Sequence, residues 1–230
     1  MKKKTVGIIG GMGPLATADL FKKIIENTEA ESDGEHLRIL LDNNTAIPDR
    51  TAAILGRGRS PVPKMRESAL SLWAMGAELL VMPCNTAHHF HAEVQAAVGI
   101  PLLHMIDLTR DALVARGVRT VGLLATEGTV KSGIYAASLR ESGLSLLLPD
   151  ERGQRAITDL IYNGVKAGRQ DHDIAPARAA MEDLLSRGAE LLLLGCTELP
   201  VAVERYDLRY PTCDPTLELA KATVRLASRG

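Results

Sequence analysis

Aromatic residues are scarce in this chain. Phe, Trp and Tyr make up 3% of its 230 residues, with a single Trp, so packing must rest on Leu, Ala, Val and Ile. The hydrophobic fraction of 46% excludes a disordered chain and is enough for a substantial core. Cysteine is also rare. An odd count of three, without disulfide-framework spacing, implies reduced thiols and a cytoplasmic setting. Neither sign of charge dominates: a formal net charge of −1 gives no basis for binding nucleic acid or a membrane surface. No apolar run approaches the roughly 20 residues of a membrane span. Lys2 to Lys4 imitate the start of a secretory leader, but VGIIGGMGP is too short and too glycine-rich for its apolar region, and no small-residue cleavage site follows. Low-complexity segments and long linkers are missing as well.

What the chain has instead is repetition. Residues 75–84 read MGAELLVMPC and residues 187–196 read RGAELLLLGC, with Gly, Ala, Glu, Leu, Leu and the final Cys in register. A Thr follows each cysteine closely, Thr86 after Cys84 and Thr197 after Cys196. VGII at 6–9 matches VGLL at 121–124, and IPLLH at 100–104 resembles YPTCD at 210–214.

Short apolar runs alternate with amphipathic segments. Strands are predicted at 5–10, 37–42, 79–83 and 100–104, and again at 119–125, 144–148, 191–195 and 209–213. Such near-continuous runs suit strands of a parallel sheet buried on both faces. Helices are predicted at 14–30, 63–75, 86–97, 107–116, 129–142, 152–166, 175–187 and 215–228. Pro14 and Pro215 suit first helical turns; Gly76, Gly117, Gly143 and Gly188 suit helix ends. The pattern predicts an α/β fold of two pseudo-symmetric lobes, each a roughly four-stranded parallel sheet flanked by helices. The expected lobes are residues 1–105 with 214–230, and 106–213, the last helix packing on the first lobe. Ligands of open parallel sheets bind beyond the carboxyl ends of the strands, where both cysteines fall, so the active site is expected in a cleft between the lobes. Residues 43–63, with three prolines, form the longest predicted irregular stretch and a candidate active-site loop.

Cys84 lies in PCNTAH and Cys196 in GCTEL. Each is predicted to stand where a helix or turn begins, and free backbone N–H groups there favour a thiolate. An inert buried thiol is the ordinary reading of a lone cysteine; two in register, each ending a strand, argue for chemistry. Cys213, whose counterpart is Leu103, reads as structural. His88, His89 and His91 do not share one helical face, and no CxxC or HExxH spacing occurs, so no metal site is predicted. His88 is a candidate for orienting or charge-tuning Cys84. Gly11-Met-Gly13-Pro-Leu-Ala16 formally matches the GxGxxA dinucleotide fingerprint, but an NAD-dependent enzyme gives no reason for paired cysteines.

PCNTAH, GCTEL and GIIGGMGP together resemble the aspartate/glutamate racemase family, from the first strand to the last helix, and most closely its aspartate racemase branch. The resemblance implies a cofactor-independent enzyme with a two-base 1,1-proton transfer at the α-carbon, Cys196 acting on the L-enantiomer and Cys84 on the D-enantiomer. It implies L- and D-aspartate as substrates, with glutamate or broader amino-acid specificity as the alternative. A maleate isomerase-like activity or a non-catalytic amino-acid-binding role stands further off. It also implies a homodimer. Arg50, in IPDR, and Lys166, in IYNGVKAG, match the family's carboxylate-binding cations, an Arg fork binding a carboxylate bidentately. Asn85, Thr86 and Thr197, beside the cysteines, are placed to donate to the α-carboxylate, which gains charge as the α-proton leaves. Thr126 and Thr129 occupy the equivalent turn of the second lobe, with helix capping an equal reading. Met12 and Gly13, in the GGMGP turn, are candidate backbone contacts.

Overall fold

The computed structural model describes residues 3–228; Lys2, and the expected lobe ends at 1–2 and 229–230, lie outside the described residues. The chain is α/β, as the alternation predicts, with two parallel sheets flanked by helices. It divides into two compact units. One runs up to Leu108 and resumes at Thr216; the other is Thr109–Pro215.

The first unit contains β1 (Val6–Gly10), α1 (Pro14–Glu26), β2 (Ile39–Asn43), α2 (Arg50–Ile54), α3 (Val62–Ala74), β3 (Leu79–Val81), α4 (His91–Gln95) and the start of α5 (Met105–Ala115). Its sheet has the order β2-β1-β3, all parallel, with Val6 opposite Ile39 and Leu79. The period-two alternation of a strand sorts side chains to two faces. Val6, Ile8, Leu79 and Val81 join Leu20 and Ile24 of α1 in one apolar cluster. Ile9 and Leu80 join Met65, Ala69 and Leu72 of α3 in another. Both faces are therefore covered, which explains why these strands read as unbroken apolar runs.

The second unit contains β4 (Thr120–Leu124), α6 (Glu127–Ser132), α7 (Ile134–Glu141), β5 (Ser145–Leu147), α8 (Glu151–Asp159), α9 (Ala175–Ser186), β6 (Leu191–Leu194), α10 (Leu199–Arg205) and β7 (Thr212–Cys213). Its sheet order, β5-β4-β6-β7, repeats that of the first and extends it by one strand. The last helix, α11 (Pro215–Ala227), places Leu219, Ala220 and Ala227 in the first unit's cluster with Val6 and Ile8.

The repeated GAE triplet has a structural task in each unit. Gly76 and Gly188 end α3 and α9 with φ of 97° and 98°. The Glu78 carboxylate accepts from the Thr5 backbone N–H at 2.9 Å; that of Glu190 accepts from the Arg119 and Thr120 N–H groups at 2.8 Å each. Each Glu satisfies donors at the start of the neighbouring strand, which would otherwise lack sheet partners.

Four local expectations are revised. The predicted strand 100–104 is only a parallel bridge between Leu80 and Leu102, so the first sheet has three strands; Pro101 has no N–H to extend a ladder. The predicted helix 129–142 is broken at Gly133, which takes φ of 68° between α6 and α7. The predicted helix 86–97 is a 3-10 turn, Thr86–Phe90, followed by the short α4. The stretch 43–63 is not wholly irregular, since it holds α2 and the start of α3.

Candidate active site

In the first unit, β1 leads through Gly10, Gly11, Met12 and Gly13 into α1. The turn is tight because nothing larger fits. A Cβ on Gly11 would lie 2.3 Å from the Asn44 backbone, and φ there is +86°. A Cβ on Gly10 would lie 2.4 Å from the Thr17 side chain. Thr17 fastens the loop, its hydroxyl accepting from Gly11 N and donating to Gly13 O, both at 2.9 Å. Pro14 occupies the first helical turn, as predicted.

Arg50 opens α2, with Asp49 as its N-cap accepting from Ala52 N at 2.7 Å. The Arg50 side chain is buried. Its Nη2 donates to Met12 O at 2.9 Å, and its Nη1 donates to Pro48 O at 3.1 Å and Ile47 O at 3.4 Å. A buried guanidinium thus ties the 47–50 loop to the GGMG turn. In turn α2 packs on the Thr86–Phe90 turn. Cys84 lies just before that turn, buried in the same apolar cluster as Met12 and Ile47. Met12, Arg50 and Cys84 are thereby gathered at the carboxyl end of the first sheet, with buried Asn85 and Thr86 beside the cysteine.

His88 sits beneath this segment. Its Nδ1 lies 2.9 Å from the Cys84 carbonyl oxygen, the shorter of two carbonyl contacts of the ring, so the single proton of the neutral imidazole is assigned there. Burial, with the neighbouring His104 and His91 adding to it, holds the imidazole pKa down at about 3. His88 is therefore neutral and braces the Cys84 backbone without lending it charge. His88, His91 and His104 cluster with ring centroids 4.6–5.8 Å apart. Among the described residues no group of His, Cys, Asp and Glu side chains is arranged to hold a metal ion.

In the second unit, β4 leads into α6 through Thr126, which caps the helix: its hydroxyl accepts from Thr129 N at 3.3 Å and lies 3.2 Å from the Thr129 hydroxyl. Capping is thus one occupation of both threonines. β6 ends at Leu194, and Gly195 is squeezed so that a Cβ would meet Leu123 at 2.5 Å. Cys196 follows, buried, then Thr197 and Glu198, also buried, before α10 begins.

Glu198 is the residue that motif reading passed over. It stands inside the GCTEL motif, but spacing does not distinguish a buried carboxylate from a solvated one. The Cys196 thiol donates to Glu198 Oε2 at 3.0 Å, and Lys166 Nζ approaches Oε1 at 3.3 Å. Lys166 ends a π-helical turn, Leu160–Lys166, that continues α8 and packs on α10. Such wide turns are rare and are found frequently at functional sites. The ammonium also lies 5.1 Å from the Tyr162 ring centroid. Burial first, then the Glu198 carboxylate, push the Cys196 thiol well above its ordinary pKa, against the pull of Lys166. Cys196 rests as a thiol.

A groove of about 700 Å³ in this unit contains neither cysteine. Glu127, Asp150, Glu151 and Asp159 line it against Arg155, an excess of negative charge unsuited to an anionic ligand.

Comparison with known proteins identifies the family. The Asp/Glu/hydantoin racemase family matches residues 9–227. The structure of aspartate racemase from Picrophilus torridus superposes with a TM-score of 0.84 and 36% identity, over 98% of this chain and 94% of that one. A broad-specificity amino-acid racemase, RacX of Bacillus subtilis, is 27% identical over 225 residues, 95% of this chain and 96% of its own. Glutamate racemase of Corynebacterium glutamicum is 30% identical over 150 residues, 63% of this chain and 54% of the relative. The chain belongs to the Asp/Glu/hydantoin racemase family and, as a member, is an isomerase of the amino-acid racemase type.

Proposed function

We propose that the protein interconverts L- and D-aspartate without a cofactor, Cys84 and Cys196 serving as the two acid/base groups. One observation carries this reading. Each unit ends an equivalent buried strand in a buried cysteine followed by side-chain hydrogen-bond donors, with an Arg held in the first unit and a Lys in the second. A dicarboxylic amino acid brings, besides the carboxylate at the reacting carbon, a second one for these cations to hold. The full-length likeness to an aspartate racemase supports the substrate; the equally full-length likeness to a broad-specificity racemase makes wider acceptance the second reading.

The chemistry needs opposed groups, because the intermediate is planar at the α-carbon. One thiolate takes the α-proton, and the C–H electron pair passes into the carboxylate as an enolate. A thiol on the other face returns a proton to the carbon. Asn85, Thr86, Thr197 and the Met12–Gly13 backbone would donate to the carboxylate that gains charge, with Thr126 beside them. Arg50 and Lys166 would hold the second carboxylate. The protein would work as a cytoplasmic homodimer, which light scattering can check.

The test is proton NMR in D₂O with the reduced protein, no added cofactor, and aspartate, glutamate and neutral amino acids of each hand. Aspartate is expected to lose its α-proton signal fastest and to appear as both enantiomers. Cys84→Ala and Cys196→Ala should each lose racemisation by on the order of 100-fold or more, while each keeps α-proton exchange, without inversion, for the opposite enantiomer. Full racemisation by Cys84→Ala would end the two-base proposal.

A further inference from the structure

A thiol at rest cannot begin by removing a proton. Cys196 must first lose its own, and it is buried, 6% exposed, so a base within the protein is the nearest acceptor. Its Sγ donates to Glu198 Oε2, at 3.0 Å, on a carboxylate that is itself 4% exposed. The other oxygen of that carboxylate faces Lys166 at 3.3 Å. Oε1 is thus turned to the ammonium, and Oε2 is the oxygen left to accept from the thiol.

We infer that Glu198 is the internal proton acceptor that converts the Cys196 thiol into the base, an inference that rests on the racemase reading above. In the step, the S–H bond breaks, an O–H bond forms at Oε2, and the S–H electron pair stays on Sγ. The pair keeps its single negative charge, so no ion has to cross the buried site. Sγ then takes the substrate α-proton, and the C–H pair enters the enolate. The thiol and carboxyl now hold two protons, which the reverse direction or exchange with water returns. The charged and titratable groups that act on this pair are Lys166 and, electrostatically, the buried Tyr135. In the first unit the neighbour of Cys84 is His88, and the atom it holds is the backbone carbonyl, not the thiol. The two bases are thus served differently, which makes the inference testable by hand of substrate.

Initial α-proton exchange of L- and D-aspartate in D₂O should be followed separately for the whole reduced protein and for Glu198→Gln. Gln keeps the size and still accepts a hydrogen bond from the thiol, but cannot take its proton. The expected result is a fall in kcat on the order of 100-fold for one enantiomer, the same one that Cys196→Ala ceases to exchange, with KM changed less than about threefold. The other enantiomer should change by less than about tenfold. Glu198→Asp, which retains the acid one methylene further back, should recover about tenfold of the lost rate. Undiminished exchange of both enantiomers, an equal loss for both, or no recovery by Asp would overturn the inference while leaving the racemase reading intact. Absence of exchange in the unaltered protein would end both.

Discussion

His88 is buried, and the carbonyls that meet its nitrogens, Cys84 O at Nδ1 and, at 3.4 Å, Leu103 O at Nε2, do not offset the cost of burying a charged ring. Charging the ring means adding a proton where burial forbids it, and its folded pKa of about 3 lies below the 6.5 of a free imidazole. Between those values the unfolded chain binds a proton that the folded chain refuses. Stability from this residue is therefore complete above about pH 6.5 and is lost as pH falls toward about 3, at no more than about 1.4 kcal/mol per pH unit. His88→Gln, with no group to titrate, should flatten the fall in urea midpoint between pH 7.5 and 5 relative to the unaltered protein. An identical slope in both would mean that the folded ring takes up its proton as readily as the unfolded chain does. The same residue shows where sequence reading stops. PCNTAH marks His88 as a neighbour of Cys84, but only coordinates show that it grips the carbonyl, and therefore positions the cysteine and does not charge it. Glu198 is the sharper case, since burial and an ion pair formed across thirty-two residues leave no trace in local spacing.

At the scale of the element, the turns between strands and helices carry the site, and their glycines are set by geometry. Gly11→Ala must strain a left-handed backbone and place a Cβ 2.3 Å from the main chain of Asn44, which cannot give way as a flexible side chain would. A cost of about 1–3 kcal/mol is expected, or roughly 2–4 °C of thermal midpoint per kcal/mol for a chain of this length. Gly34→Ala, whose Cβ meets nothing within 4 Å, should leave the midpoint unchanged in the same calorimetric scan. Equal effects from the two would remove the steric account of the turn. Most strands and helices are legible in the sequence as periodic or apolar runs punctuated by Gly or Pro, and the repeat marks β3 and β6. What was not legible depended on partners elsewhere in the chain. The run at 100–104 has strand composition but meets its neighbour at one residue. The helix through 152–166 has helical periodicity yet widens into a π turn where Lys166 must reach Glu198.

At the scale of the whole chain, the two units are not consecutive stretches. The division at Leu108 falls inside α5, and the chain returns to the first unit at the start of α11. The end of the sequence therefore stabilises its beginning: Leu219, fully buried, packs in the cluster that holds Val6 and Ile8 of the first strand. Truncating such a side chain costs about 2–5 kcal/mol through lost burial and the cavity left behind. The distribution of aromatics lets each unit be watched separately. The single Trp, Trp73, lies in the first unit, and all four Tyr, at 135, 162, 206 and 210, lie in the second. Leu219→Ala should lower the urea midpoint reported by Trp73 fluorescence. Because α5 runs unbroken through the division, the near-ultraviolet circular dichroism of the tyrosines should shift with it, as one cooperative transition requires. Leu184→Ala, in the fully buried cluster of the second unit, should move both probes in the same way. A tyrosine signal indifferent to Leu219→Ala would mean that the second unit unfolds on its own, and that a helix shared across the division does not suffice to couple the two.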